Sequence, residues 1–259
     1  MRIGIYILII LHVILIKFPS FSQRESTSPT LQDKYPKKSG NLRMSSSKFD
    51  LGRINTNEVR YDTIRLFNSG LLPINISLPL KMPLFYKVTI KNSPLPPGGD
   101  GYIALYYDAS KKNDFGFVLD RIQFNTDDID LPQKYINVSA NIVEYFPNQI
   151  LYDTINFNAH IPKTSFNFGK IRQGEKVSHI FKIYNIGKKP LILHKIKTNN
   201  ACIKASFSKK NIASGDSAII QSEYDSFGKI GKESRIFSLY INNPNMSEVN
   251  FEMLGEVFK

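Results

Sequence analysis

The sequence predicts an all-β protein: two tandem immunoglobulin-like β-sandwich domains that follow a signal peptide and a flexible tether. Two observations predict this fold class. Short runs rich in Ile, Val, Phe, Tyr and Leu alternate with turn-forming Asn, Gly and Pro, with little sustained helical periodicity. Landmarks of the first half also recur 117 residues later. About seven strands in roughly 95 residues are typical of an immunoglobulin-like sandwich.

Residues 1–22 have the layout of a secretory signal peptide. The apolar run Ile3–Ile16 is followed by Ser20 and Ser22, small residues that place a cleavage site before Gln23. A membrane-spanning helix takes roughly 20 apolar residues, so we expect a cleaved signal rather than a permanent anchor. The protein is therefore expected to be exported to the periplasm, the cell surface or the medium.

Residues 23–47 are rich in Ser, Pro and Lys and poor in apolar side chains. Such a segment buries too little surface to offset the entropy of ordering, which predicts a flexible tether. We expect the first sandwich to span residues 48–145 and the second to span 146–259. The segment Glu144–Lys163 between the two copies is either an interdomain strand or the first strand of the second sandwich.

The internal repeat predicts two copies of one β unit. Phe49–Ile54 recurs as Phe166–Ile171, and Asn68–Pro73 recurs as Asn185–Pro190. Three later landmarks recur in the same order: Tyr107-Asp108 as Tyr224-Asp225, Asn125–Asp128 as Asn242–Asn245, and Gly99-Asp100 as Gly215-Asp216 after a one-residue slip.

Each landmark has a physical interpretation. The glycine of the opening strand allows a β-bulge or a close approach of another backbone. Ile64 and Leu66, with Phe181 and Ile183 in the second copy, alternate along a strand and predict one buried sheet face. The Asn-x-Gly sequences predict turns in which Asn and Gly take positive φ.

The run from Phe166 to Leu193 resembles the Hydin-type (ASH-like) immunoglobulin modules, in particular the exported tandem versions of Bacteroidetes, a domain family of unknown function. The pieces Ile212–Asp216, Tyr224–Ser226, Asn242–Asn245 and Leu254–Val257 match in order. The resemblance covers most of residues 166–257 and, more loosely, 48–143. It implies a sandwich fold and protein-binding relatives rather than a chemistry. Family members often carry Cys-Gly-Cys where this chain has Asn200-Ala201-Cys202.

No sequence pattern for catalysis, for a cofactor or for a metal ion stands out, and we expect a protein that is not an enzyme. His160, His179 and His194 lack neighbouring ligands at metal spacing and are interpreted as surface or packing residues. Asp127, Asp128 and Asp130 are interpreted as a solvated loop, with a Ca²⁺ site as the alternative. Cys202, the only cysteine, is interpreted as a small core residue.

Charge is the strongest functional signal in the sequence. Residues 48–145 have 11 basic and 11 acidic residues, whereas residues 146–259 have 16 and 9. Nine lysines between positions 176 and 210, uninterrupted by any Asp or Glu, predict a basic binding face: Lys176, Lys182, Lys188, Lys189, Lys195, Lys197, Lys204, Lys209 and Lys210. The alternative is a solubilising surface that protects edge strands.

Two functions of different class follow from these patterns. The first is a protein-binding or scaffolding module of the bacterial cell envelope, with an acidic protein or an anionic envelope surface as partner. The second is a periplasmic chaperone that binds clients by strand donation. Export and the lack of a reader motif argue against nucleic acid, and no small-molecule substrate is expected.

Overall fold

The computed structural model describes residues 30–147 and 153–259, and nearly all of the regular structure in this part of the chain is β-strand. The signal segment 1–22 and residues 23–29 lie outside the described residues. No helix in the described part of the chain has the length and apolar character to cross a membrane.

The strands form two β-sandwiches in sequence order. The first contains β1 (Lys37–Ser39), β2 (Leu42–Met44), β3 (Lys48–Asn55), β4 (Val59–Asn68), β5 (Ile76–Ser77), β6 (Tyr86–Lys91), β7 (Asp100–Asp108), β8 (Gly116–Thr126) and β9 (Gln133–Val143), with the short helices α1 (Leu31–Lys34) and α2 (Ala109–Lys112). The second contains β10 (Ala159–His160), β11 (Ser165–Arg172), β12 (Lys176–Asn185), β13 (Leu191–Thr198), β14 (Ile203–Phe207), β15 (Asn211–Ile212), β16 (Ser217–Asp225), β17 (Gly231–Ile241) and β18 (Glu248–Phe258).

Each sandwich packs two sheets against each other. In the first, the sheet β1-β2-β4-β7-β6 faces the sheet β3-β9-β8-β5. In the second, β10-β12-β16-β14 faces β11-β18-β17-β13-β15. The opening strands β3 and β11 run parallel to the closing strands β9 and β18, whereas the other pairings are antiparallel. The prediction of an all-β, immunoglobulin-like fold is confirmed.

The buried side chains form two separate hydrophobic clusters, one in each sandwich. Strand β4 shows why: Ile64 and Leu66 are at most 1% exposed, while their neighbours on the other side of the strand face solvent. Phe181 and Ile183 take the same positions in β12. The predicted buried face is confirmed, and burial of these apolar side chains is the main force that holds each sandwich together.

The glycine of each opening strand sits at a β-bulge, as the sequence predicts. Gly52 and Gly169 have φ of +63° and +72°. The strand registers shift between Asp50 and Arg53 and, in the second sandwich, at the matching place. A left-handed backbone of this kind favours glycine, because it has no Cβ to clash with the carbonyl.

The Asn-x-Gly sequences do not act by positive φ, so that part of the turn interpretation is wrong. Asn68, which is fully buried, donates from Nδ2 to the carbonyl oxygens of Leu72 (2.7 Å) and Leu95 (2.8 Å). Its Oδ1 accepts from the Gly70 amide at 2.9 Å. Gly70 has ordinary φ, and a Cβ there would come 2.9 Å from Asn41 Cβ. Close packing, not backbone freedom, requires this glycine.

The expected flexible tether is wrong for residues 30–47. Strand β2 pairs with β4, with Leu42 opposite Asn68, and β1 pairs with β2. Leu42 and Met44 are at most 3% exposed in the first core, and Tyr35 stacks on Phe67 with ring centroids 5.4 Å apart. A few well-placed apolar side chains are enough to order a segment whose average composition is polar.

The segment between the copies begins the second sandwich where it is described. Ala159 pairs with Asn185 in β12, as Leu42 pairs with Asn68 in β4. The repeat therefore begins at β2 and β10, upstream of the Phe-containing opening strands. The predicted apolar run Ile150–Tyr152 lies outside the described residues.

Two details of the predicted alignment are corrected. Gly98 and Gly215 are equivalent at the constant spacing of 117, because their amides donate to the carbonyls of Asn68 and Asn185, so no slip occurs there. The slip comes later: β8 ends at Thr126 and β17 ends at Ile241, a spacing of 115.

Candidate functional site

The nine lysines predicted as a basic binding face do not share one surface. They divide among three places in the second sandwich: the outer face of β12 and β14 (Lys176, Lys182, Lys204), strand β13 of the opposite sheet (Lys195, Lys197) and loops (Lys188, Lys189, Lys209, Lys210). The strand connectivity explains the division, because the chain passes from one sheet (β12) to the other (β13) and back again (β14).

Several of these lysines are engaged by acidic or aromatic side chains. The contacts are Lys176 with Asp225 (3.4 Å) and Glu223 (3.7 Å), Lys195 and Lys197 with Asp114, Lys209 with Asp216, and Lys189 over the Phe157 ring (5.3 Å). The remaining four, Lys182, Lys188, Lys204 and Lys210, are exposed and form no ion pair with a described residue. The positive charge of this half is therefore scattered and partly compensated.

Lys195 and Lys197 hold the junction between the two sandwiches. Their Nζ atoms lie 2.7 Å and 3.1 Å from Asp114 Oδ1. Burial pushes the pKa of Asp114 up, but hydrogen bonds from Lys195, the Phe115 amide and Lys197 outweigh it and leave the pKa below its usual value. Burial also lowers the pKa of Lys197. These two lysines serve an internal contact rather than a free binding face.

The histidines have structural surroundings. His194 Nε2 lies 2.9 Å from Glu144 Oε2, and its ring stacks on Phe115 at 4.5 Å, so it belongs to the junction. His179 stacks on Phe166 at 3.8 Å, and burial lowers its pKa. His160 lies in the short edge strand β10.

The carboxylates of the acidic loop after β8 form an ion pair and hydrogen bonds with other residues of the first sandwich. Asp128 pairs with Lys134 at 2.8 Å, and both side chains are fully buried. Asp127 accepts from the Asn75 amide and side chain, and Asp130 accepts from Asn41 Nδ2 at 3.1 Å. These contacts occupy the carboxylates of the alternative Ca²⁺ site, and no group of three metal-binding side chains occurs among the described residues.

Cys202 is half-buried against the second core, as expected for a small packing residue. Its Sγ lies 3.3 Å from Arg235 Nε, and Arg235 also pairs with Glu233. The cysteine is thus held at the sandwich edge by a neighbouring guanidinium.

A cationic surface that the sequence did not reveal lies on the first sandwich. On the outer face of β4, β7 and β6, cross-strand registers align three rows of side chains. The rows are Tyr61–Tyr106–Lys87, Thr63–Ala104–Thr89 and Arg65–Tyr102–Lys91. We call these nine residues the tyrosine face. None is acidic, and its three cations form no ion pair with a described residue.

The middle row of the tyrosine face forms a hollow. Ala104 and Thr89 have short side chains, whereas Tyr61, Tyr106 and Lys87 in the neighbouring row have long ones. Together these five residues line a hollow of about 330 Å³. Tyr61 is 66% exposed and Tyr106 is 45% exposed. Large tyrosines on a sheet, unpacked on one side, present contact area at a low cost in conformational entropy.

The second sandwich has a hollow at the equivalent place with a different chemistry. It has a volume of about 550 Å³ and lies over β12, β16 and β14, with Gln221 opposite Ile180 and Ser206. Lys204 stands opposite Glu223 there, so positive and negative charges neighbour each other. The duplicated unit therefore offers the same sheet face twice, once cationic and aromatic and once mixed.

Residues 159–257 match a family described as "Protein of unknown function (DUF1573)". The match begins at Ala159, the first residue of β10, and ends within β18, so it covers one complete sandwich. No protein in the curated set matches the chain by sequence.

Solved structures share the fold at low sequence identity. A protein of unknown function from Porphyromonas gingivalis W83 is 16% identical, with a TM-score of 0.58, and the alignment covers 84% of this chain and 100% of that one. The ASH/PapD-like domain 7 of human CEP192 is 11% identical over 40% of this chain and 87% of that one, with a TM-score of 0.33. The YadV chaperone is 13% identical over 82% and 99%, with a TM-score of 0.30. The similarity to the Porphyromonas gingivalis protein supports the two-sandwich fold.

Proposed function

We propose that this protein is an exported, non-enzymatic binding or scaffolding module of the bacterial cell envelope, with Hydin-type modules that hold a protein partner. The observation that carries the proposal is the repeated open sheet face. Both sandwiches leave the outer side of the same three strands uncovered by described residues, and each has a hollow there. A flat face with a shallow hollow suits a protein surface better than a small substrate, which needs a deep enclosure.

The ionisable side chains of the described residues support a binding role rather than a catalytic one. Asp114, Asp128 and His194 are engaged in ion pairs or hydrogen bonds that join strands or sandwiches. Tyrosine and arginine, which are enriched in protein interfaces, are instead the residues left exposed on the open face of the first sandwich.

The chaperone by strand donation is the second candidate. Edge strands β6 and β14 each pair on one side only within the described sheets, which leaves backbone groups for an added strand. A chaperone of this kind would pair through backbone bonds with many clients, whereas a scaffold would use side chains of the open faces with one partner.

Cross-linking in native envelopes distinguishes these candidates. The tagged mature protein is cross-linked in the source cell, captured and analysed by mass spectrometry. One stoichiometric, stable neighbour supports the scaffold, and transient capture of several unfolded exported clients supports the chaperone. A hydrolytic activity of the purified protein that is lost on a single-residue change would overturn both, and recovery of the protein only from the cytosol would overturn export.

A further inference from the structure

We propose that the tyrosine face binds an extended acidic protein segment whose carboxylates lie four residues apart, with an apolar side chain between them. This inference rests on the proposed protein-binding function and adds the site and the chemistry of the partner. Arg65 on β4 and Lys87 and Lys91 on β6 point outward, and none of the nine residues of the face is acidic.

One carboxylate, that of Asp100, lies in the row beside the tyrosine face and is hydrogen-bonded. Asp100 lies opposite Phe67, in the row that follows Arg65–Tyr102–Lys91. It accepts a hydrogen bond from the Tyr35 hydroxyl. Burial and this bond raise the pKa of Tyr35 to about 12. Arg43, on β2, and Lys38, opposite it on β1, extend the positive surface beyond that row. The one carboxylate in the neighbouring row does not balance Arg65, Lys87, Lys91 and these two further cations, and the excess positive charge attracts an external anion.

Protection of the sheet edge does not account for this arrangement. Lysines on an edge strand, such as Lys87 and Lys91 on β6, do discourage pairing with other strands. Arg65, however, lies on β4, a central strand with β2 on one side and β7 on the other. An exposed cation on a central strand, beside the half-buried Tyr102, has no such role and indicates a ligand.

The row spacing defines the partner. Lys87 and Lys91 are four residues apart on one strand, about 13 Å at the usual rise of an extended chain. A partner segment lying extended over the face has the same rise, so carboxylates four residues apart reach both cationic rows. The residue midway between them then faces the hollow over Ala104, where Tyr61 and Tyr106 form apolar walls. In a sequence such as Glu-Thr-Val-Thr-Glu, the two Glu carboxylates reach the two cationic rows and the Val side chain faces the hollow.

A folded, mixed-charge partner or a polysaccharide fits these rows less well. Sugar rings of a polyuronate place carboxylates at every residue and offer no side chain for the hollow. An extended polypeptide has the same rise per residue as the strands below it, so its side chains match the spacing of the rows. The partner is therefore a polypeptide.

The experiment uses fluorescence anisotropy with the mature protein. The test peptide is a labelled 13-mer with Glu at every fourth position and Val midway between. The control peptide has the same composition with its Glu residues adjacent. The spaced peptide is expected to bind about tenfold more tightly than the control, and its affinity should fall as salt rises.

Matched protein variants assign the site. Arg65→Glu/Lys91→Glu should weaken the spaced peptide at least about tenfold. Lys188→Glu/Lys210→Glu, two exposed lysines of the second sandwich with the same change in net charge, should leave it unchanged. Tyr106→Ser tests the hollow without altering charge, and circular dichroism checks that each variant is folded. If the charge-reversed variant is unfolded, Arg65→Gln and Tyr106→Ser provide the same test.

The outcomes separate this inference from the proposed function. Equal binding of the two peptides, equal loss in the two charge-reversed variants, or binding of polygalacturonate but not of the peptide overturns the tyrosine face as a peptide site. If the envelope cross-linking then still captures one stoichiometric partner with Arg65→Glu/Lys91→Glu, the scaffold stands and only this inference falls. Absence of any captured partner, even for the unaltered protein, overturns the proposed function itself.

Discussion

Asn68 and Asn185 lie 117 residues apart in the sequence and make the same three hydrogen bonds in their two sandwiches. Asn185 Nδ2 donates to the carbonyls of Lys189 and Ile212, both at 2.9 Å, and its Oδ1 accepts from the Gly187 amide. Both asparagines are at most 1% exposed. A single side chain thus joins the end of one strand to a turn and to a distant strand, and duplication has kept that device.

Replacing either asparagine by alanine should destabilise its own sandwich. Asn185→Ala removes the donors of two carbonyl bonds in a buried site, and an unsatisfied buried group costs about 1–3 kcal/mol. We expect a loss of roughly 2–3 kcal/mol in the free energy of unfolding, measured by urea denaturation. Asn250→Ala, which removes the acceptor of the Ser238 hydroxyl at an exposed position of β18, is the milder control. A loss below about 0.5 kcal/mol, the range of ordinary surface changes, would contradict the role assigned to Asn185.

The buried pair Asp128–Lys134 should dominate the stability of the first sandwich against acid. Lys134 Nζ also donates to the carbonyls of Ser39 and Leu131, so it ties the β1–β2 hairpin to the acidic loop. Lys134→Met leaves an uncompensated carboxylate and should cost about 3–5 kcal/mol. Asp128→Asn/Lys134→Met should lose less, because no buried charge remains. If the single variant were as stable as the double variant, the pair would not have the assigned role.

The pH dependence of this pair has a defined sign. Burial raises the pKa of Asp128, but hydrogen bonds from Lys134 and Asn41 outweigh burial and hold it below the usual 3.8. A carboxyl with a depressed folded pKa stabilises the fold above its unfolded pKa, and that stability disappears as pH falls through the folded value. Unfolding midpoints between pH 5 and pH 2, scanned for the protein and for the double variant, should therefore converge below about pH 3.8. Parallel curves would show that Asp128 is not the responsible group.

Gly116 and Gly52 provide a matched test of the junction between the sandwiches. Their φ values are +66° and +63°, so alanine should cost each about 1 kcal/mol from backbone strain. At Gly52 the added Cβ meets nothing within 4 Å, whereas at Gly116 it overlaps the Tyr240 hydroxyl of the second sandwich. Gly116→Ala should therefore separate the sandwiches as well as strain the backbone. Small-angle X-ray scattering should show a larger radius of gyration for Gly116→Ala only, and equal radii would mean that the contact does not hold in solution.

The strands were predictable from the sequence because each needs only a period-two pattern. The same pattern contained the tyrosine face: once Ile64 and Leu66 are assigned to the core, Thr63 and Arg65 must face outward. The net charge of residues 48–145 concealed it, since 11 basic and 11 acidic residues sum to zero although none of the acidic residues lies on the tyrosine face. Which lysines of the second half are free could not be predicted, because Asp114 reaches Lys195 from 81 residues away.

The β1–β2 hairpin is the part of the fold that the composition of residues 23–47 failed to predict. Leu42 and Met44 are at most 3% exposed, and truncating a buried Leu or Met to Ala typically costs 2–5 kcal/mol, so Leu42→Ala should lose about 3 kcal/mol. The equivalent position in the second sandwich is already Ala159, so a larger residue is not required by the repeat itself. The loss should therefore appear in the first sandwich only. In hydrogen exchange, the backbone amides of β4 should become less protected. A chain that begins at Lys48 should lose this protection as well, whereas one that begins at Thr30 should keep it. If the two truncated chains protect β4 equally, residues 30–47 do not contribute to the core, and the tether expected from composition describes them after all.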